Sequence, residues 1–97
     1  MSKQPAVYMM ASKKNGTIYT GVTSDLVKRV YEHKNIITKG FTDKYGCKNL
    51  VYFLIFETME TAILEEKRIK GGSRKKKIQM IEEFNPEWKD LYESITK

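Results

Sequence analysis

Two short runs with strand-like composition, joined by a turn, constrain this chain more than anything else in it. The first, Ala6 to Ala11, is apolar throughout and reads as a buried strand. The second, Thr17 to Thr23, is rich in β-branched and aromatic residues. Between them lies Ser12-Lys13-Lys14-Asn15-Gly16, whose Asn-Gly pair suits the positive-φ positions of a hairpin. A tight Asn15-Gly16 turn puts Lys14 opposite Thr17 and holds Tyr8 and Tyr19 several residues apart. A longer loop brings the two tyrosines together. An odd index sum for the pairing puts both on one face. The turn type therefore decides whether they meet.

The rest of the chain completes an α+β pattern of order β-β-α-β-α-α, with a small three-stranded antiparallel sheet flanked by helices. Ser24 is expected to cap a first helix, with Asp25 complementing its positive end, and the helix to run to about Ile37 with Leu26, Val27, Val30, Tyr31 and Ile37 on its apolar side. Residues 38–48 read as a polar loop. Leu50 to Glu57 reads as a third strand, apolar enough to be covered on both faces. Thr58 is placed to cap a helix from Met59 to Lys70. Gly71-Gly72-Ser73 interrupts the pattern, and a third helix follows from about Arg74 to Phe84. Trp88, Leu91 and Tyr92 form a last turn that packs back on the body. With 97 residues, no internal repeat and no linker, the expectation is a single domain over residues 1–97 with one modest core.

Eighteen Lys and Arg against twelve Asp and Glu give a net charge of +6. A surface this basic favours polyanions, or simply keeps a small protein in solution. Cys47 is the sole cysteine, so neither an intrachain disulfide nor a cysteine metal cluster is available. The polar first residues lack the apolar core of a signal peptide. No apolar stretch approaches the ~18 residues of a membrane span. A cytoplasmic protein with no membrane partner is expected.

Candidate chemistry lies on several elements. Tyr8 and Tyr19 are sheet tyrosines, and each alone suits a core edge as well as a site. Arg29 and His33 stand one helical turn apart, on a lip beside the apolar stripe, where an arginine suits a phosphate. Glu66 interrupts the stripe of Met59, Ala62, Ile63 and Ile69. A carboxylate there requires a cation, either a Lys or Arg partner or a divalent metal. The run Lys67, Arg68, Lys70, Arg74, Lys75, Lys76 and Lys77 is a phosphate-backbone track or a solvated face.

Taken together, Ala6-Val7-Tyr8, Tyr19-Thr20-Gly21, Ser24-Asp25-Leu26 with Arg29 and His33, Ala62 to Glu66-Lys67 and Asn85-Pro86-Glu87-Trp88-Lys89-Asp90-Leu91 resemble the GIY-YIG endonuclease superfamily. The likeness is to its small stand-alone bacterial members, and to the nuclease domain of the excision-repair incision subunit. It covers nearly the whole chain. The first triplet lacks its glycine and the second carries Thr20 at its centre, and neither change removes a reactive group. The resemblance implies a metal-dependent endonuclease acting on nucleic acid, DNA before RNA, in a DNA-repair setting. It implies Tyr8, Tyr19, Arg29, His33 and Glu66 as catalytic residues, with Glu66 holding one Mg²⁺ or Mn²⁺. Gly21, Lys67, Lys70, Arg74, Lys75 and Asn85 are the candidate substrate contacts. The alternatives are a non-catalytic nucleic-acid-binding module of the same fold, and an interaction domain in which Glu66 pairs with Arg29.

Overall fold

A computed structural model describes residues 4–35 and 46–96. The described elements are strands β1 (Ala6–Ala11), β2 (Ile18–Thr23) and β3 (Asn49–Ile55), and helices α1 (Leu26–Lys34), α2 (Met59–Lys70), α3 (Arg74–Phe84) and α4 (Tyr92–Thr96). The fold is α+β, a three-stranded antiparallel sheet of order β2-β1-β3 with helices on it. The expected order β-β-α-β-α-α is present, and the expected last turn is the short helix α4. The end expected for the first helix, Ile37, and most of the loop after it lie outside the described residues.

The hairpin takes the longer of the two loops. Ala11 pairs with Ile18, and Ser12 still donates its N–H to the Thr17 carbonyl, leaving Lys13 to Gly16 as the turn. Only Asn15 of the Asn-Gly pair has positive φ, at 59°. Gly16 is needed for a different reason: a Cβ there would lie 2.3 Å from the Ser12 hydroxyl.

Alternation along β1 divides the core in two. Val7, Met9 and Ala11 face α2 and α3, where they pack with Ala62, Ile69, Ile81 and Trp88. Ala6, Tyr8 and Met10 face α1 and α4, where they meet Leu26, Val30, Cys47 and Ile95. The strand buried on both faces is therefore β1 and not, as its composition suggests, β3. Strand order explains this: β3 is an edge, and Leu54 near its end is 43% exposed.

The helix ends follow local chemistry. Thr58 accepts the Thr61 N–H at the start of α2, as expected, and Ser73 accepts the Lys76 N–H at the start of α3. At α1 the cap is Asp25, not Ser24: its carboxylate accepts the Lys28 N–H at 3.3 Å. Among the described residues no helix is long and apolar enough to cross a membrane.

Candidate active site

Tyr8 and Tyr19 do share a face. Tyr8 stands opposite Gly21 and Tyr19 opposite Met10, so the rings are diagonal neighbours with centroids 6.2 Å apart. Gly21 makes the arrangement possible. A Cβ at that position would lie 2.5 Å from the Tyr8 hydroxyl oxygen and 2.6 Å from Cζ, so the Tyr8 ring lies over bare backbone. Gly21 thus positions a tyrosine, a setting different from the substrate contact read from the motif.

His33 completes an aromatic trio. Its ring centroid is 5.6 Å from that of Tyr8 and 5.3 Å from that of Tyr19, and Nε2 lies 2.9 Å from the Tyr8 hydroxyl. The sequence reading set His33 on a lip. It lies instead on the buried side of α1, with Leu26 and Val30. That stripe has spacing i, i+4, i+7, so the placement follows from periodicity once His is allowed to count as a core residue. Tyr31, read as apolar-side, is half exposed.

Burial sets the protonation of Tyr8 and His33. It pushes the Tyr8 phenol well above the ordinary tyrosine value, and nearby Tyr19 adds to the rise while Arg29 opposes it. Burial lowers the His33 imidazole, and the positive charge of Arg29 lowers it further. At neutral pH both rings are therefore neutral. Nδ1 of His33 is buried with no hydrogen-bond partner among the described residues. A bare lone pair is a less costly orphan than a bare N–H. This favours the tautomer in which Nε2–H donates to the Tyr8 oxygen.

Arg29 is where the lip was expected. Its side chain is 41% exposed and lies 3.6 Å from the Glu32 carboxylate. With Thr23, Ser24, Asp25, Lys28 and Glu32 it lines a polar cavity of about 220 Å³ at the start of α1. Glu32 is not among the expected site residues, although helical spacing puts it beside Arg29, whereas Lys28, the residue before Arg29, carries no such signal.

Glu66 falls on the expected side of α2, between Ala62 and Ile69, but its helix covers the other face of the sheet. Its side chain is 13% exposed and pairs with Lys70, Nζ to Oε2 2.9 Å. The Glu66–Arg29 pair expected of an interaction domain is absent among the described residues. Met59, read as part of the buried stripe, is exposed. What Glu66 shares with the aromatic trio is the edge strand β2. That strand leads directly into α1, and α2 packs against it from the opposite face.

The remaining candidates scatter. Lys70 is the partner of Glu66. Arg74 donates to the Asn15 and Gly16 carbonyls, each at 2.7 Å, and so clamps the hairpin loop to α3. Lys75 lines an open groove along α3 with Ile78, Gln79, Glu82 and Glu83. Asn85 is buried at the β3 edge, where its amide bonds the Val51 carbonyl and the Lys89 backbone. Its hydrogen bonds are structural, at the sheet edge opposite β2. Among the described residues no group of three or more His, Cys, Asp or Glu side chains is assembled to hold a metal.

Residues 4–79 match the model of the GIY-YIG catalytic domain. A UPF0213 protein of Staphylococcus saprophyticus is 37% identical over 70 residues, covering 72% of this chain and 85% of the relative. One from Bacillus pumilus is 31% identical over 97 residues, covering all of this chain and 99% of the relative. The solution structure of a UPF0213 protein from Bacillus halodurans is 32% identical, with a TM-score of 0.51 over 80% of this chain and 82% of that one. With its motif tyrosines on one face of the sheet and its glycine beneath one of them, the chain belongs to the GIY-YIG family.

Proposed function

We propose that the protein is a metal-dependent endonuclease that hydrolyses a phosphodiester bond in DNA at the edge of strand β2. The observation that carries this reading is the contact of Tyr8 with His33, enclosed by Tyr19 and flanked by Arg29. A buried phenol with raised pKa holds its proton until a cation offsets the new charge. Arg29 supplies part of that offset, and the Nε2–H of His33 another. Tyr8 first releases its own proton to solvent and then, as phenolate, takes the proton of the attacking water, with Tyr19 orienting it. The exposed guanidinium of Arg29 stabilises the extra negative charge on the phosphate in the transition state.

Glu66 would hold the one divalent ion. Its donor set fits a hard cation: carboxylate oxygen, with a lysine partner that can swing away on an exposed chain. One carboxylate alone binds Mg²⁺ weakly, so water and substrate phosphate must complete the shell. When bound, such an ion neutralises phosphate charge and eases departure of the 3′ oxygen. The basic surface suits a polyanion, and DNA is proposed before RNA.

Supercoiled plasmid, branched DNA and RNA, each with Mg²⁺ or Mn²⁺, test the reading. Nicking of DNA is expected, with loss in Arg29→Ala and Glu66→Ala. Equal cleavage by the wild type and Glu66→Ala would remove the catalytic reading. The Glu66–Lys70 pair supports the alternative of a binding module, which predicts salt-sensitive DNA binding with no metal-dependent nicking.

A further inference from the structure

The junction of α2 and α3 holds a cavity of about 280 Å³ that the proposed chemistry does not use. Lys67 and Arg68 reach it from the end of α2, and Lys76 and Lys77 from the first turns of α3. Arg68 is held by two hydrogen bonds to Glu65, at 2.7 and 2.6 Å. Lys67, Lys76 and Lys77 pair with no carboxylate among the described residues. Three lysines on two helices thus converge without a counter-charge, and repulsion between them favours an anion in their midst. The partial positive end of α3 adjoins the same cavity.

The wall between the helices is made of Gly71 and Gly72. Neither needs to be glycine for its own conformation. Gly71 is right-handed helical, with φ −77° and ψ −9°, and Gly72 has no positive φ. Neither needs to be glycine for packing. A Cβ at either would find its nearest neighbour at 3.4 Å, ordinary contact with a helix carbonyl. Their N–H groups are already spent on the Lys67 and Ile69 carbonyls. Glycine costs more entropy to order than any other residue, and the bare main chain it leaves here has room for a ligand to come close. Met80 supplies an apolar surface beside the lysines.

We propose that this junction is a second phosphate-binding site, which grips the backbone of a DNA duplex away from the bond that is cut. Arg74 ties the junction to the hairpin loop, and β2 starts directly after that loop. A strand gripped at the junction is therefore led toward the β2 edge. The proposal rests on nucleic acid being the substrate of the site above, but it is read out by binding alone.

The test is fluorescence anisotropy of a short labelled DNA duplex, in EDTA, across a range of salt. Lys76→Gln is expected to reduce the slope of log affinity against log salt by about one, as loss of one phosphate contact does. Gly72→Val is expected to weaken binding roughly tenfold by filling the wall, with circular dichroism and melting temperature kept. Lys89→Gln, a charge-matched change in the C-terminal segment, should alter neither affinity nor slope. Wild-type affinity and slope in both junction variants overturns the proposal, whether or not the protein cuts DNA. So does an equal loss in Lys89→Gln, or junction-dependent retention on anionic lipid vesicles with duplex binding unchanged. Absence of nicking in every variant, with the binding differences intact, removes the nuclease reading and leaves the junction standing.

Discussion

Two polar clusters sit at opposite edges of the same sheet, and they are built on opposite rules. At the β3 edge, Asn85 bonds Val51 and Lys89. Asp90 accepts from the Leu50 and Tyr92 backbones and from Lys34, whose ammonium also donates to the Lys48 carbonyl and lies 5.3 Å from the centre of the Tyr92 ring. These polar groups find partners that hold the C-terminal segment to the strand. Near the β2 edge, Tyr8 and His33 are packed against each other with both rings pushed toward their neutral forms, and Nδ1 has no partner among the described residues. Satisfied polar groups stabilise. A buried group left short of a partner costs stability, and such a place is a candidate for chemistry.

The largest effect expected from breaking this contrast is on catalysis. Tyr8→Phe keeps a ring over Gly21 and loses only the hydroxyl. Its nicking rate on plasmid should fall about 10²- to 10⁴-fold, the range for removing a general base, while loss of the bond to His33 costs about 1–3 kcal/mol of stability. Asn85→Ala should do the reverse. Leaving the Val51 carbonyl and the Lys89 backbone without their partner should cost about 3 kcal/mol in urea unfolding, with turnover per folded molecule retained. A large activity loss in folded Asn85→Ala would return that residue to the site. Gly21→Ala falls between the two. The Tyr8 ring must shift to admit a methyl group, at about 1–2 kcal/mol of stability, and nicking should drop along with it.

The smallest effect is on pH. A lowered His33 pKa means that the unfolded chain takes up a proton before the folded one does. Its contribution to stability is complete above about pH 6.5 and fades as pH falls toward the lowered folded value. Wild type should therefore lose more melting temperature than His33→Gln between about pH 7.5 and about pH 5.5. An identical slope in the two proteins would place His33 in water and dissolve the contrast with the clasp. Tyr8 works in the other direction: its raised pKa favours the folded state below about pH 10 and costs stability above it.

Much of this was legible from residue order. The shared face of the two tyrosines was conditional on an odd pairing sum that the register supplies, while the three strands, the bounds of α2 and α3 and the Thr58 cap follow from periodicity and turn chemistry. So does Glu66 between Ala62 and Ile69, because a carboxylate in an apolar stripe is visible without coordinates. The family motif also brought together Tyr8, Tyr19, Arg29 and His33 in advance, and all four do meet or adjoin. Asn85 shows the limit. A buried amide that clasps a strand edge and an amide that meets a substrate have the same sequence signature, and only neighbours distant in the chain separate them.

What the sequence determined by itself is local. Side-chain alternation and helical spacing are properties of neighbouring residues, so the elements and their faces could be read directly. Which strand lies in the middle could not. β1 is central because β3 returns beside it across a long connection, and that choice makes β1 the strand buried on both sides and β2 an open edge. The same choice puts Glu66 and the aromatic trio on opposite faces with β2 between them. It also decides that Arg74 ends on the hairpin loop while Lys76 and Lys77 are left facing an open cavity. Contacts between residues far apart in the chain depend on how the layers pack, and no period in the sequence records that.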